Sequence, residues 1–196
     1  MRERHVPAAL STPSMLSDAE VTALVDRHQR SLYAFLRGFA ENGEQARDLV
    51  QDAFAAAWRA TQAGAPPFVP GTAEDEVRRW LFHTAYCRAI DLLRRRRLIR
   101  WESLDTLAEP EMDGGLPPPF EERVIEGEAL RAALKQLAPQ DAACLLLRAV
   151  HGLSATEVGA IVRATPEVVT KRLSRAKQRL RAAYLAQNPV PSQERH

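Results

Sequence analysis

The segment spanning residues 154–181 constrains the fold of this 196-residue chain most, because it encodes two capped helices separated by a very short turn. Ser154 and Glu157 form an S-x-x-E capping box, whose side chains satisfy backbone N–H groups at the start of a helix. Thr165 followed by Pro166 is a second helix start. Only about three residues remain between the two helices, which predicts a helix-turn-helix.

The second of these helices separates an apolar stripe from a polar face when it is wound at roughly 100° per residue. The stripe, which should pack inward, consists of Val169, Leu173, Ala176 and Leu180. The polar face offers donors and acceptors suited to base edges and phosphates, and its members are Glu167, Thr170, Lys171, Ser174, Arg175, Gln178 and Arg181. Residues 163–181 carry seven basic residues against one acid, which favours DNA binding over a merely solvated helix.

Charge is strongly segregated along the chain, although the overall net charge is only +2. Residues 78–100 carry eight arginines against one aspartate, a net charge of +7, whereas residues 101–128 carry nine acids against one arginine, a net charge of −8. Two basic blocks therefore flank an acidic connector. We interpret the basic blocks as separate nucleic-acid contacts and the connector, which is rich in Pro and Gly, as a flexible linker.

Cysteine usage and the absence of catalytic motifs argue against an enzyme. Cys87 and Cys144 lie in helical contexts without a C-x-x-C motif, so we expect reduced thiols and no metal site. No nucleophile–base pair or phosphate-cradling glycine loop is visible, and we predict no cofactor. No segment resembles a signal peptide or membrane span, which favours a cytoplasmic protein without membrane insertion.

The N-terminal half predicts three helices. A capping box from Ser17 to Glu20 opens the first, and Asn42-Gly43 ends it. The second runs from about residue 44 to 59, with an inward side that includes Trp58 and an outward side that carries Glu44, Asp48, Gln51 and Asp52. That acidic side is either a docking face or an ordinary solvated surface.

The third predicted helix, from about residue 74 to 97, follows a loop that holds Phe68. Its outward face should carry Trp80, Thr84, Cys87, Arg88 and Asp91, and four consecutive arginines, 94–97, end it. Aromatic rings beside arginines suit single-stranded nucleic acid, because bases stack on rings while guanidinium groups hold phosphates. The alternative is that Trp80 packs against the first helix and the arginines form a soluble helix end.

These observations predict an all-α protein made of two small helical domains. The expected boundaries are a flexible extension over 1–16, a first domain over 17–100, a linker over 101–128, a helix-turn-helix domain over 129–186 and a disordered tail over 187–196.

Three sequence blocks in this order resemble the sigma-70 family of bacterial sigma factors, specifically the short extracytoplasmic-function (ECF) group built from regions 2 and 4. The blocks are ARDLVQDAF (Ala46–Phe54) followed by Trp58, WLFHTAYCRAIDLLRRRR (Trp80–Arg97) and GLSATEVGAIVRATPEVVTKRLSRAKQRLR (Gly152–Arg181). The resemblance covers roughly residues 17–185.

The resemblance implies a dissociable promoter-specificity subunit that binds the β′ clamp helices and the β flap of core RNA polymerase. The implied polymerase-binding residues are Glu44, Asp48, Gln51, Asp52 and Phe54. Single-stranded −10 DNA, with one base flipped out of the stack, would meet Phe68, Trp80, Thr84, Cys87, Arg88, Asp91, Arg94, Arg95, Arg96 and Arg97. Duplex −35 DNA would meet Arg163, Thr165, Glu167, Thr170, Lys171, Ser174 and Arg175. An anti-sigma factor is a further implied partner.

The chain departs from the family pattern at a few positions. Cys87 stands where Asn is usual, the loop over 61–79 is longer than usual, Arg163 occupies a turn position where Gly is usual, and Gly159 replaces a small Ala. Two other classes of protein stay open on the sequence. A stand-alone helix-turn-helix regulator would dimerise on a symmetric operator, and a sigma mimic that titrates an anti-sigma factor should lose its basic DNA-facing residues.

Overall fold

The computed structural model describes residues 17–65, 67, 72–102 and 121–187, and this part of the chain is all-α, as the sequence predicts. Its helices are α1 (Asp18–Arg37), α2 (Gly43–Gln62), α3 (Glu74–Glu102), α4 (Glu121–Lys135), α5 (Pro139–Ala149), α6 (Ala155–Val162) and α7 (Pro166–Gln187). None of these helices is long and apolar enough to cross a bilayer. The predicted N-terminal extension, Phe68 and residues 188–196 of the predicted tail lie outside the described residues.

Local capping signals place the helix starts. The Ser17 hydroxyl accepts from the Glu20 N–H at 3.3 Å, and the Glu20 carboxylate accepts from the Ser17 N–H at 2.8 Å, which confirms the predicted capping box. Asn42 has a different role from the predicted one: its side chain accepts from the Gln45 N–H at 2.8 Å and caps the start of α2, whereas α1 ends earlier. Asparagine suits this position because its short carbonyl reaches the orphan N–H groups of the first turn.

The linker is shorter than the sequence analysis predicts. Helix α3 continues through Glu102, and α4 begins at Glu121, inside the segment interpreted as linker. Gly127 weakens the apolar periodicity of α4, which explains why the pattern did not reveal its first two turns.

Helices α1–α3 form the first bundle around large apolar side chains. Phe35 and Leu32 of α1 are fully buried, and Leu81, Phe82 and Ala85 of α3 are buried in the same apolar core. The Phe35 and Phe82 rings meet edge to face with centroids 5.7 Å apart. Edge-to-face contacts of this kind add to the apolar burial of the two rings.

Helices α4–α7 form the second bundle, which contains the helix-turn-helix of α6 and α7. Helix α5 is its centre, since seven consecutive residues, 141–147, are buried. One of them, Asp141, is a carboxylate with no exposed surface, and it accepts two hydrogen bonds of 2.7 Å each from the Arg175 guanidinium of α7. This bidentate pair ties the start of α5 to the middle of α7.

The two bundles pack against each other and share one continuous apolar core. Gly38, just after α1, lies so close to α5 that a Cβ there would be 2.5 Å from a methyl carbon of Leu146. Helix α6 packs on α3, where the His83 ring N–H donates to the Ile161 carbonyl at 2.6 Å. The sequence analysis predicted two domains on a tether and did not predict this contact.

The turn of the helix-turn-helix depends on an unusual pair of residues. Arg163 adopts a left-handed conformation, with φ 53° and ψ 57°, at the position where glycine is usual. Gly159 is in α6, and a Cβ there would lie 2.5 Å from the carbonyl oxygen of Ala164. The Ala164 N–H donates to the Gly159 carbonyl at 2.9 Å, so the turn folds directly over Gly159.

We predict that Gly159→Ala lowers the free energy of unfolding by about 1–3 kcal/mol, because the added methyl group overlaps a backbone oxygen that cannot move freely. The neighbouring exposed residue Ala160 provides the matched control. Ala160→Gly should also destabilise, by about 1 kcal/mol, through helix propensity alone. Urea unfolding measures both. A stabilising Gly159→Ala, the ordinary sign for a helix interior, would contradict the close approach.

We predict that Arg163→Gly raises the free energy of unfolding. An L-residue in the left-handed region costs about 1–2 kcal/mol, and the flexibility of glycine in the unfolded chain offsets part of that gain. The expected net stabilisation is about 0.5–1 kcal/mol, measured by the same urea titration. A destabilised variant would show that the Arg163 side chain contributes more than its backbone conformation costs.

Candidate nucleic-acid interface

Helix α7 presents a polar face to solvent over an apolar spine. Val169 and Ala176 are fully buried, and Leu173 and Leu180 are partly buried, as the predicted stripe requires. All seven candidate duplex-facing residues are exposed: Arg163, Thr165, Glu167, Thr170, Lys171, Ser174 and Arg175. The helix-turn-helix therefore leaves this face uncovered within the described part of the chain.

The side chains at the start of α7 are oriented by local hydrogen bonds. The Thr165 hydroxyl accepts from the Val168 N–H at 3.5 Å, and the Thr170 hydroxyl donates to the Pro166 carbonyl at 2.9 Å. A hydrogen bond to the Thr165 side chain lowers the pKa of Glu167. Glu167 is therefore ionised near neutral pH and offers only acceptors, a pattern that matches the exocyclic amine of cytosine.

Arg175 is committed in part to the protein itself. Its Nε and one terminal nitrogen donate to the buried Asp141 carboxylate, which also raises the pKa of Arg175. Two of its five N–H groups point at the carboxylate, and the rest of the half-exposed side chain faces outward. Lys171, which makes no ion pair with another described residue, is the freer cation on this face.

The outward face of α3 carries the candidate −10 residues. Cys87, Arg94 and Arg95 are exposed, whereas Thr84, Arg88 and Asp91 are half-buried. Trp80 departs from the expectation of an exposed ring, because it is partly buried and packs against the core. Phe68 and the Arg97 side chain lie outside the described residues.

The arginine run at the end of α3 has a structural member. Arg96 donates to the Phe39 carbonyl at 3.4 Å and to the Gln45 side chain, and it also pairs with Glu41 at 3.4 Å. It is thereby bound to the α1–α2 connection and is largely covered. Arg96 therefore stabilises the fold, and we do not propose it as a nucleic-acid contact. Arg94, in contrast, makes only a loose 3.7 Å pair with Asp91 among the described residues.

One residue from each candidate DNA set, Trp80 and Arg163, lines a shared groove between α3 and the helix-turn-helix. Arg79, Trp80 and His83 of α3 line one wall, and Ala160 and Arg163 of the helix-turn-helix line the other. An ion pair of 3.3 Å between Arg78 of α3 and Glu157 of α6 also joins the two bundles. The sequence placed these residues in separate domains, and nothing in the local pattern indicates that they face each other.

The acidic face of α2 lies apart from this groove. Its four polar members, Glu44, Asp48, Gln51 and Asp52, are exposed and make no ion pair with another described residue. Phe54 is half-buried against the core. Trp58, which the sequence analysis placed inward, is 42% exposed. It lies two helical turns after Gln51, and exposed tryptophans are frequent anchors of protein interfaces.

Comparisons with known proteins agree on the family. The model of Sigma-70 region 2 matches residues 24–99, and the model of Sigma-70 region 4 matches residues 127–180. The ECF RNA polymerase sigma factor SigE of Mycolicibacterium smegmatis is 32% identical over 84% of this chain, which spans 61% of the SigE length. The RNA polymerase sigma factor CnrH of Cupriavidus metallidurans is 30% identical over 81% of this chain and 83% of its own.

Two solved structures share the fold. CnrH in complex with the cytosolic domain of CnrY superposes with a TM-score of 0.58 at 27% identity, over 87% of this chain and 90% of that one. The sigma factor RpoE in complex with the anti-sigma factor NepR from Bartonella quintana gives 0.63 at 20% identity, over 87% and 99%.

Helices α1–α3 thus correspond to region 2, and α4–α7 to region 4, in the order that the sequence blocks predict. We use the terms region 2 and region 4 for the two bundles below. With both region models matched and a relative such as CnrH covered over most of its length, the chain belongs to the sigma-70 family, as a member of its ECF group.

Proposed function

We propose that this chain binds core RNA polymerase and directs it to promoters, reading −35 duplex with α7 and melted −10 DNA with α3. The observation that carries the proposal is the exposed polar face of α7 above its buried spine, in a chain of the sigma-70 family. That face has the donors, acceptors and positive charge that a major groove requires. The polymerase would supply the chemistry, because the chain offers no catalytic motif of its own.

Recognition of the −35 element would begin at the N-terminal turns of α7. Glu167, Thr170 and Lys171 lie nearest the helix start and would reach base edges, as recognition helices do. Arg163 and Ser174 flank them and suit phosphate contacts. In this proposal Arg175 contributes mainly by holding α7 to α5 through Asp141, and only its outward N–H groups would reach DNA.

Recognition of the −10 element would use the outward face of α3. Arg94 and Arg95 would hold the phosphates of a melted strand, and Trp80 would stack on a base once the second bundle moves away. Flipping a base from the duplex costs a few kcal/mol, which these contacts must offset. Phe68 and Arg97 keep their proposed roles in this step. Cys87 is exposed on the same face, so the protein group that meets the flipped base differs from the usual Asn.

Docking on the polymerase would use the acidic face of α2. Glu44, Asp48, Gln51 and Asp52 would meet the β′ clamp helices, with Phe54 supporting them and Trp58 as an apolar anchor. Region 4 would contact the β flap. Unpaired carboxylates on one helix face attract a basic partner surface and speed its association.

An anti-sigma factor is part of the proposal. The solved neighbours CnrH and RpoE are in complexes with CnrY and NepR, respectively, and this chain shares their fold. We propose that a comparable protein holds this chain inactive by binding across its two bundles.

Promoter binding requires that the two bundles separate. The −35 and −10 elements are roughly 25 base pairs apart, about 85 Å of B-form duplex at 3.4 Å per base pair. In the packed structure Trp80 of the candidate −10 set and Arg163 of the candidate −35 set line one groove, too close together for the two sets to reach elements about 85 Å apart.

Run-off transcription with purified core RNA polymerase tests the proposal. The templates are genomic upstream fragments, with and without this chain. Start sites that appear only on its addition are expected, and they would give both promoter elements. A chain that binds duplex alone but never binds polymerase would instead be a stand-alone regulator. A chain that does neither but captures an anti-sigma factor would be a sigma mimic.

We predict that Asp48→Arg with Asp52→Arg reduces polymerase association at least tenfold while the helical content is unchanged. Both side chains are exposed and make no ion pair with another described residue, so the fold does not depend on them. Reversal of their charge places like charges against a basic partner surface. Size-exclusion binding to core polymerase, with circular dichroism alongside, measures the effect.

The matched control for this pair is Asp26→Arg with Glu76→Arg, which makes the same change in net charge at exposed positions outside α2. This control should bind polymerase as the parent does. Equal losses in both double variants would show that net charge alone governs binding, and an unimpaired Asp48/Asp52 variant would overturn the docking assignment.

We predict that Lys171→Ala weakens binding to −35 duplex. A plot of the logarithm of the association constant against the logarithm of salt concentration should become less steep, its negative slope shrinking in magnitude by about 1, because one cationic contact to the DNA is lost. Lys177→Ala removes the same charge from an exposed position farther along α7 and should leave the slope nearly unchanged. Fluorescence anisotropy at several salt concentrations measures both. An unchanged slope for Lys171→Ala would place that side chain away from the DNA.

A further inference from the structure

The contact between the two bundles has an imidazole at its centre. His151 follows α5 in region 4, and its ring lies 4.7 Å from the Phe82 ring and 6.2 Å from the Phe35 ring, both of region 2. The two phenyl rings also meet each other at 5.7 Å. Three aromatic rings from both bundles thus form one cluster, in which His151 is the titratable member.

The surroundings of His151 suit its neutral form. Its Nε2 is buried and has no hydrogen-bond partner in the described structure. An imidazolium would place a positive charge beside the phenyl rings and would require an N–H on the buried Nε2, which has no acceptor. Burial, and then the nearby Arg78 guanidinium, lower the pKa of His151.

The charged groups around the contact do not offset the cost of placing a protonated His151 there. From α3, Arg78 adds positive charge and pairs with Asp75 and with Glu157 of α6, both at 3.3 Å. Glu157 also accepts from the N-cap of its own helix, and Arg148, on α5, donates to the Leu153 carbonyl. On α1, Arg27 pairs with Glu74, and Arg37 donates to the Ala40 carbonyl.

We infer that His151 is a proton-sensitive latch, which holds regions 2 and 4 together when neutral and releases them when protonated. In the separated form the imidazole is in water and has an ordinary pKa of about 6.5. In the packed form burial and Arg78 hold the pKa below that value. The packed form is therefore favoured above pH 6.5 and loses its advantage as the pH falls, because the separated form binds the proton more readily.

The other two described histidines near the contact behave differently. His83 crosses the contact, but its ring N–H has an acceptor there, the Ile161 carbonyl oxygen. His28 is buried with an unpartnered Nε2, but it belongs to region 2, and protonation there would loosen α1 rather than the contact between bundles. His28 therefore serves as the control position.

Single-molecule energy transfer on the full chain tests the latch without polymerase or DNA, so its outcome is independent of the proposed function. Dyes are placed at Arg59→Cys on α2 and Ala182→Cys on α7, both exposed, in a Cys87→Ser background. Cys144 is buried and stays unlabelled. The measured quantity is the ratio of separated to packed molecules at pH 7.5 and 5.5, with circular dichroism at both values.

With an ordinary pKa of about 6.5 in the separated form and a lower pKa in the packed form, the ratio should rise between pH 7.5 and 5.5, by up to about tenfold. His151→Phe, which fills the cluster without titrating, and His151→Gln should both show a ratio independent of pH. His28→Gln should retain the rise seen in the parent. A pH response unchanged by either His151 substitution, or a constant ratio in the parent, overturns the latch.

If the helical signal falls at pH 5.5, the ratio is compared between pH 7.5 and 6.5, where about a twofold rise is expected for the parent and none for the His151 variants. No rise in this window overturns the inference in the same way. When the proposed function holds as well, separation of region 4 is the acid-responsive step that precedes promoter binding.

Discussion

The edge-to-face contact between Phe35 and Phe82 is the interaction on which the rest of the structure depends. It packs α1 against α3 inside region 2, and both rings also contact the His151 ring of region 4. Around this cluster, α6 packs on α3, and Gly38 lets the end of α1 approach Leu146. Because one apolar cluster serves both bundles, the arrangement of the two DNA-binding surfaces is a property of the core, although each surface is polar.

Much of the fold could be predicted because its signals are local. The capping boxes at Ser17 and Ser154 involve residues three apart, and the buried stripes of α3 and α7 follow from helical periodicity. The packing of region 4 on region 2 could not be predicted in this way. It includes the close approach of Gly38 to Leu146 and the contact of His151 with Phe82. Both contacts join residues far apart in the sequence, and a local sequence pattern does not reveal them.

The candidate site shows the same division. The exposure of the α7 face was predictable, because it is simply the side opposite Val169 and Ala176. The role of each arginine could not be predicted, because the sequence alone does not distinguish an arginine that contacts DNA from one that binds another part of the protein. Arg96 braces the α1–α2 connection, and Arg175 satisfies a buried carboxylate. A basic run thus overstates the positive charge that is free to meet a phosphate.

The tight approach at Gly159 has a mechanical consequence. Because the Ala164 carbonyl rests directly on Gly159, and the Ala164 N–H bonds back to the same residue, α6 and α7 are joined by a stiff elbow. In the proposed opening, the face of α6 that leaves α3 is rigidly coupled to α7, the proposed recognition helix. The recognition helix would therefore swing as the arm of a lever, with its hydrogen bonds intact and no segment of it refolded on the way to DNA.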